Sequence, residues 1–91
     1  DGRLVCVATP GHTAGHQALR VELDSGPVVL TGDCVYFERM LTEMLVPRFG
    51  FDTELQKASM RRLGELRDNG CRLLYGHDAE QLATVPAAGL R

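Results

Sequence analysis

The sequence contains no tryptophan and only two tyrosines and three phenylalanines among its 91 residues. No apolar run approaches the roughly 18 residues that a membrane-spanning helix needs, so no membrane protein of that kind is predicted. No basic segment is followed by an apolar one, so the sequence predicts no secretory signal peptide. Ten basic and twelve acidic residues give a net charge of −2, and a chain without a basic excess is not expected to bind nucleic acid.

Cysteine is scarce and its spacing is uninformative for metal binding. Cys6, Cys34 and Cys71 are odd in number and form no Cys-X-X-Cys pair, which excludes a structural zinc ribbon. Each lies in or beside an apolar run, as reduced core cysteines do. The pattern therefore predicts reduced thiols and a cytoplasmic protein.

The composition is that of a globular protein, with 44% hydrophobic and 24% charged residues. Residues 1–91 suffice for one small domain, and a chain of this length buries only a modest fraction of its surface. The sequence begins at Asp1 without an initiator methionine. We therefore expect it to be a piece of a longer protein.

Hydrophobic periodicity predicts an α/β or α+β layered arrangement with helix covering one face of a sheet. The longest predicted helix begins at Asp52 or Thr53 and ends at Asn69-Gly70, with its apolar positions on one face. These positions are Leu55, Ala58, Leu63 and Leu66. The predicted strands span about 3–8, 16–23, 28–31 (fully buried) and 71–75, and a short helix is predicted over about 78–82.

Residues 34–51 are rich in apolar and aromatic side chains but lack a clear period. Two interpretations remain open. The segment is an irregular stretch that packs against the core, or it forms one wall of an apolar substrate pocket.

Two of the three histidines, His12 and His16, lie four residues apart in the segment Thr9-Pro10-Gly11-His12-Thr13-Ala14-Gly15-His16. That spacing would place both on one helical face. Pro10 and the two flanking glycines disfavour a helix. The sequence therefore predicts that His12 lies in a loop and that His16 begins the next strand.

A glycine followed by a side chain that can bind metal occurs after three of the predicted strands. These pairs are Gly11-His12, Gly32-Asp33 and Gly76-His77. If the strands are neighbours and run in the same direction, the three side chains meet at one edge of the sheet. Two imidazoles and a carboxylate suit zinc, with iron or manganese as weaker choices.

These motifs, together with Thr31-Gly32-Asp33 and Gly76-His77-Asp78, resemble the later metal motifs of the metallo-β-lactamase-fold hydrolases. Within that superfamily the sequence is most similar to the N-acyl-homoserine lactonase group. That similarity rests on Gln17, on Tyr36, and on Phe49-Gly50-Phe51-Asp52 before the long helix. The resemblance implies an α/β fold, the αβ/βα four-layer sandwich, of which residues 1–91 resemble the C-terminal half.

The resemblance also implies roles for individual residues. His12 and His77 would each bind one of two divalent metal ions, zinc by preference, and Asp33 would bridge them. Asp33 and Tyr36 would be catalytic, with Tyr36 hydrogen-bonding the substrate carbonyl or its developing oxyanion. His16 would not bind metal but would support the loop through a hydrogen bond. The implied reaction is the opening of an N-acyl-homoserine lactone by a metal-bound hydroxide.

The sequence departs from the family in one large respect, because the pattern His-X-His-X-Asp-His is absent. The remaining ligands would lie in an N-terminal half, so the isolated 91 residues are expected to be inactive. The expected partners are a small lactone or ester substrate, that N-terminal half, and a second copy in a homodimer. Two alternatives stay open: a thioester hydrolase like glyoxalase II, and a non-catalytic remnant that retains idle motifs.

Overall fold

The computed structural model of the protein describes residues 3–84. Four strands form a single sheet in the order β1-β2-β3-β4. A 3-10 turn at Gly32–Cys34 follows the third strand. The elements are β1 Leu4–Ala8, β2 Gln17–Leu23, β3 Gly26–Leu30, α1 Glu38–Thr42, α2 Thr53–Asp68, β4 Arg72–Leu74 and α3 Ala79–Leu82.

Three of the four strands run in the same direction. β2 is antiparallel to both β1 and β3, and β4 is parallel to β3. The C-terminal ends of β1, β3 and β4 therefore lie at the same edge of the sheet. The three glycine motifs follow these ends, although β2 separates β1 from β3, so the strands are not all neighbours as the sequence argument supposed.

The strand register divides the side chains between two faces, because paired residues point to the same side and neighbours along a strand point to opposite sides. On one face, the helix face, most side chains are buried with Met60 and Leu63 of α2, although Val5 remains 45% exposed. The helix face includes Val7, Ala18, Val29 and Leu73. The open face includes Leu4, Cys6, Leu19, Val21, Leu30 and Leu74.

The open face is apolar and only partly covered in the described part of the chain: Val28, which also lies on it, is 4% exposed, but several other side chains contact water. Leu4 is 57% exposed, Leu30 is 40% exposed, and Cys6 is also exposed. Leu30 thus corrects the expectation that its strand is fully buried, and Cys6 corrects the prediction that all three cysteines lie in the core. The strand is also longer than predicted, since β3 begins at Gly26.

The long helix α2 begins and ends where the sequence predicts. The Asp52 side chain accepts hydrogen bonds from the backbone N–H groups of Glu54 and Leu55, both at 3.0 Å. Gly70, just beyond the helix, adopts a positive φ of 101°.

The buried face of α2 differs from the prediction. Leu55 is 42% exposed and Ala58 is exposed, whereas the polar Gln56 and Ser59 are buried. Both buried polar side chains have hydrogen-bond partners. The amide Nε2 of Gln56 donates to the backbone carbonyl of Cys34 at 3.1 Å. The hydroxyl of Ser59 donates to the backbone carbonyl of Pro10 at 2.8 Å. These bonds allow two polar side chains to be buried that the apolar periodicity predicts to face solvent.

The segment over 34–51 is neither purely irregular nor fully helical. The short helix α1 forms at its centre and buries Met40 and Leu41 against the core. Phe37 and Leu45 remain 42% and 46% exposed. Within residues 3–84, no helix is long and apolar enough to cross a membrane.

Candidate functional site

The structure brings His12, Asp33 and His77 together at the C-terminal edge of the sheet. Nε2 of His77 lies 3.0 Å from Oδ1 of Asp33, and Nε2 of His12 lies 3.6 Å from the other carboxylate oxygen, Oδ2. Each oxygen of one carboxylate thus faces a different imidazole. Imidazole nitrogens and carboxylate oxygens are both zinc ligands, so the three groups could contribute to a metal site between them.

Two glycines in contact set the distance between Asp33 and His77. A Cβ on Gly76 would lie 2.1 Å from the backbone oxygen of Gly32, a separation that atoms cannot adopt. Gly32 itself has a positive φ of 57°. Only a residue without a side chain at position 76 lets the chain after β4 approach the turn after β3 this closely.

His12 reaches the same place from the more distant strand β1 because its loop packs on α2. A Cβ on Gly11 would lie 2.2 Å from the backbone nitrogen of Gln56. The backbone carbonyls of Gly11 and His12 also accept hydrogen bonds from Asp52 and Phe51, at 2.8 and 3.0 Å. The start of α2 therefore holds this loop in place.

His16 uses both ring nitrogens within the protein. Its Nε2 accepts a hydrogen bond from the backbone N–H of Asp33 at 3.1 Å, so the ring proton lies on Nδ1. Nδ1 is 2.8 Å from the hydroxyl of Thr9, which is fully buried. His16 therefore connects the loop after β1 to the turn that carries Asp33, and neither nitrogen is available to a metal.

Tyr36 lies beside the three side chains. The centre of its ring is 4.3 Å from that of His77 and 6.5 Å from that of His12. Tyr36 also lines an apolar groove of about 310 Å³. The groove is lined by Tyr36, Phe37, Met40, Leu45, Val46 and Pro47.

The local electrostatics keep the carboxylate charged and the phenol neutral. The hydrogen bond from His77 lowers the pKa of Asp33, against an opposing effect of burial. Burial raises the pKa of Tyr36, and the nearby charge of Asp33 raises it further. At neutral pH the site therefore offers an ionised carboxylate next to a hydrogen-bond-donating phenol.

The donor atoms fit a divalent metal in kind but not in number. Among residues 3–84, no group of three His, Cys, Asp or Glu side chains is arranged as a ready metal site. Imidazole and carboxylate are nevertheless ligands that zinc prefers. Nδ1 of His12 is buried without a hydrogen-bond partner among the described residues. A catalytic zinc ion takes three protein ligands, so these three groups cannot hold two ions alone.

Sequence reasoning missed Thr9 and Gln56. Thr9 lies within the quoted histidine motif, and only the fold shows that its hydroxyl contacts His16. Gln56 occupies a helix position that periodicity assigns to neither the core nor the site. No signal in a single sequence identifies a buried amide at such a position.

The sheet carries side chains that can bind metal at its C-terminal edge, as the resemblance to the metallo-β-lactamase-fold hydrolases implies. Comparison with solved structures confirms that fold. An N-acyl homoserine lactone hydrolase with N-hexanoyl-L-homoserine bound at its catalytic metal centre superposes with a TM-score of 0.82 at 35% identity. The match covers 94% of this chain and 35% of the hydrolase. A dizinc quorum-quenching lactonase, at 18% identity and a TM-score of 0.67, shares the fold alone.

Sequence comparison confirms the resemblance to the lactonase group. The chain is 47% identical over 75 residues to an N-acyl homoserine lactonase of a Bacillus species, a match that covers 80% of this chain. It is 37% identical over 82 residues to the lactonase AttM of Azorhizobium caulinodans. The chain spans only about 30% of the length of these relatives. No family model matches it.

Proposed function

We propose that these 91 residues are the C-terminal part of a metal-dependent hydrolase that opens the ring of N-acyl-homoserine lactones. The observation that carries the proposal is the position of Asp33, whose two oxygens face His12 and His77 separately. Similarity to lactonases along most of the chain supports it. The intact protein, meaning the natural polypeptide that contains these residues, would supply the ligands that three side chains cannot.

His12, Asp33 and His77 would hold two divalent ions, zinc being the metal that best suits these donors. Such ions lower the pKa of water and polarise a carbonyl group. Reduced cysteines favour a cytoplasmic location for the protein. A homodimer is a further part of the proposal that follows from the family resemblance alone.

Two residues of this chain act in ring opening, one on the oxyanion and one in proton transfer. The protonated phenol of Tyr36 donates a hydrogen bond to the lactone carbonyl and to the oxyanion that develops on it. The ionised Asp33 accepts the proton of the attacking water and passes it to the alkoxide released when the ring C–O bond breaks. The reaction adds one water molecule and leaves a carboxylic acid and an alcohol.

The apolar groove next to Tyr36 suits an acyl chain. Its lining is almost entirely hydrocarbon and it opens beside the phenol that would bind the carbonyl end of the substrate. Segment 34–51 would then be a pocket wall as well as a packing element, which joins the two interpretations left open by the sequence.

The test compares a homoserine lactone with a glutathione thioester as substrates for the intact protein. We expect lactone opening to exceed thioester hydrolysis, and Tyr36→Phe to slow it by on the order of 10²-fold, because one oxyanion donor is lost. Metal content should not change, since the phenol is not a ligand in this proposal. Tyr75→Phe, at the only other tyrosine, is the matched control and should retain activity.

Two results would contradict the proposal. Preferential turnover of the thioester, with Tyr36→Phe as active as the wild type, would indicate the glyoxalase II-like alternative. Purification of the intact protein without stoichiometric metal or hydrolytic activity would indicate a remnant.

A further inference from the structure

Two buried polar atoms beside the candidate site have no hydrogen-bond partner among the described residues. They are Nδ1 of His12 and Oε1 of Gln56. Gln56 is fully buried, and the His12 side chain is 19% exposed. A buried polar atom without a partner is costly, because it has lost its hydrogen bonds to water, and native structures contain few of them. Two such atoms in adjacent segments therefore call for a common explanation.

The chain places these two groups on either side of one glycine. A Cβ on Gly50 would lie 3.1 Å from Oε1 of Gln56 and 3.5 Å from Cα of His12. Gly11, the neighbour of His12, packs directly on the backbone of Gln56. The close approaches at Gly11 and Gly50 thus hold the side chains of His12 and Gln56 near each other.

The orientation of the Gln56 amide is determined by its other end. Nε2 donates to the carbonyl oxygen of Cys34 at 3.1 Å, and a flipped amide would set two acceptor oxygens against each other. Oε1 must therefore point away from Cys34 and can only accept. The complementary group is a ring N–H.

The two atoms make no hydrogen bond with each other in the 91-residue chain. We propose that Gln56 is a positioning residue for the metal site, and that in the intact protein its Oε1 accepts a hydrogen bond from Nδ1–H of His12. With the proton on Nδ1, Nε2 of His12 is an unprotonated nitrogen directed toward Asp33. The amide of Gln56 then connects the residue next to Asp33 with the ring of His12. The role of this bond in metal binding rests on the proposed function, whereas the bond itself does not.

The first test determines the protonated nitrogen of His12 in the metal-free intact protein. Nitrogen-15 spectra of labelled histidine, recorded near pH 8 where an ordinary imidazole with a pKa of about 6.5 is neutral, distinguish the two tautomers. His12→Gln assigns the signal. We expect the Nδ1–H form, and a predominant Nε2–H form would overturn the proposal without need of a Gln56 variant.

The second test uses Gln56→Met, which retains volume and removes both hydrogen bonds. We expect His12 to lose its preference for the Nδ1–H form and zinc affinity to fall by about 10-fold or more, as when the hydrogen-bond partner of a metal-bound histidine is removed. Ser59→Ala is the matched control, because Ser59 lies on the same helix and binds the same loop through Pro10 but does not contact the ring. It should lower stability and leave both the tautomer and zinc affinity unchanged.

These outcomes separate the inference from the proposed function. If zinc binds as tightly to Gln56→Met as to the wild type and the tautomer is unchanged, the role of Gln56 is refuted while the lactonase proposal stands. If the intact protein binds no zinc but His12 changes tautomer in Gln56→Met, the hydrogen bond is supported and the proposed function fails.

Discussion

Neighbouring residues of one strand differ sharply in burial: Val29, on the helix face, is 0% exposed, whereas Leu30, on the open face, is 40% exposed. On the helix face, Met60 and Leu63 of α2 fill the space above the strands. On the open face, an equally apolar set of side chains lacks such a cover among the described residues. The core under α2 is thus complete within this chain, and the open face is not.

The candidate site resembles the open face in this respect. Asp33 faces one imidazole on each side, yet two metal ions would need more ligands than three. The features that support the site, by contrast, lie within the chain: the glycine contacts, the His16 hydrogen bonds and the Gln56 amide. The comparison teaches that, if the proposed function holds, this segment preorganises part of a site and one face of a core, and that further protein would complete each.

The largest expected difference between the two faces is in stability. Leu63→Ala, at a fully buried residue, should lower the free energy of unfolding of the 91-residue chain by about 2–5 kcal/mol, because it leaves a cavity. Leu4→Ala on the open face should cost less than about 0.5 kcal/mol, because Leu4 already contacts water. Urea denaturation measures both, and equal losses would show that the faces do not differ.

The next difference is in association. An exposed apolar sheet face promotes self-association, so the 91-residue chain should form oligomers or aggregates. Leu30→Lys should reduce that association in sedimentation experiments, whereas Leu55→Lys, at an equally exposed residue of α2, should not. In the intact protein Leu30→Lys should instead destabilise, because the lysine would lie between two layers. A monomeric wild-type chain would argue against the open face as an interface.

Thiol labelling distinguishes the faces without any substitution. Cys6 is exposed on the open face, whereas Cys34 and Cys71 are buried. In the 91-residue chain under native conditions we expect one thiol to react quickly with a disulfide reagent. In the intact protein Cys6 should become protected, because the remaining protein covers it. Fast labelling of Cys6 in both would mean that this face remains uncovered.

A further prediction concerns the pH dependence of the covered core. Burial raises the pKa of the Cys34 thiol to about 12, from an ordinary value of 9.0. Below pH 9 the thiol is neutral in both states, and above it the unfolded chain alone ionises. Stability should therefore fall by up to about 1.4 kcal/mol per pH unit between about pH 9 and 12. Cys34→Ala should lack this part of the alkaline slope, and an unchanged slope would contradict the burial argument.

Much of the fold is predictable from the sequence because it depends on local signals. The strands, the Asp52 cap and the end of α2 near Gly70 follow from alternation, capping and backbone freedom. The repeated glycine-then-ligand pattern also anticipates which side chains meet. The antiparallel pairing of β2 with β3 also has a local signal, because only two residues join these strands. The parallel pairing of β3 with β4 has none, because the two strands are far apart in sequence.

The inner face of α2 was not predictable, for a different reason. Periodicity correctly places Leu63 and Leu66 against the core, but it also assigns the exposed Leu55 to that face and leaves out the buried, polar Gln56 and Ser59. The buried polar residues are stabilised by carbonyl groups of Cys34 and Pro10, far away in sequence. Hydrogen bonds of this kind become visible only once the loops are placed.

The central claim is that Asp33 stands between two metal ions, and the zinc content of the intact protein with and without this carboxylate tests it most directly. We predict about two zinc ions per chain in the wild type, as in two-metal hydrolytic sites, and fewer in Asp33→Ala, with lactone opening lost in parallel. Metal analysis of the two proteins, purified without a refolding step, gives the number of zinc ions per chain. An Asp33→Ala variant that retains the full zinc content of the wild type would contradict the claim.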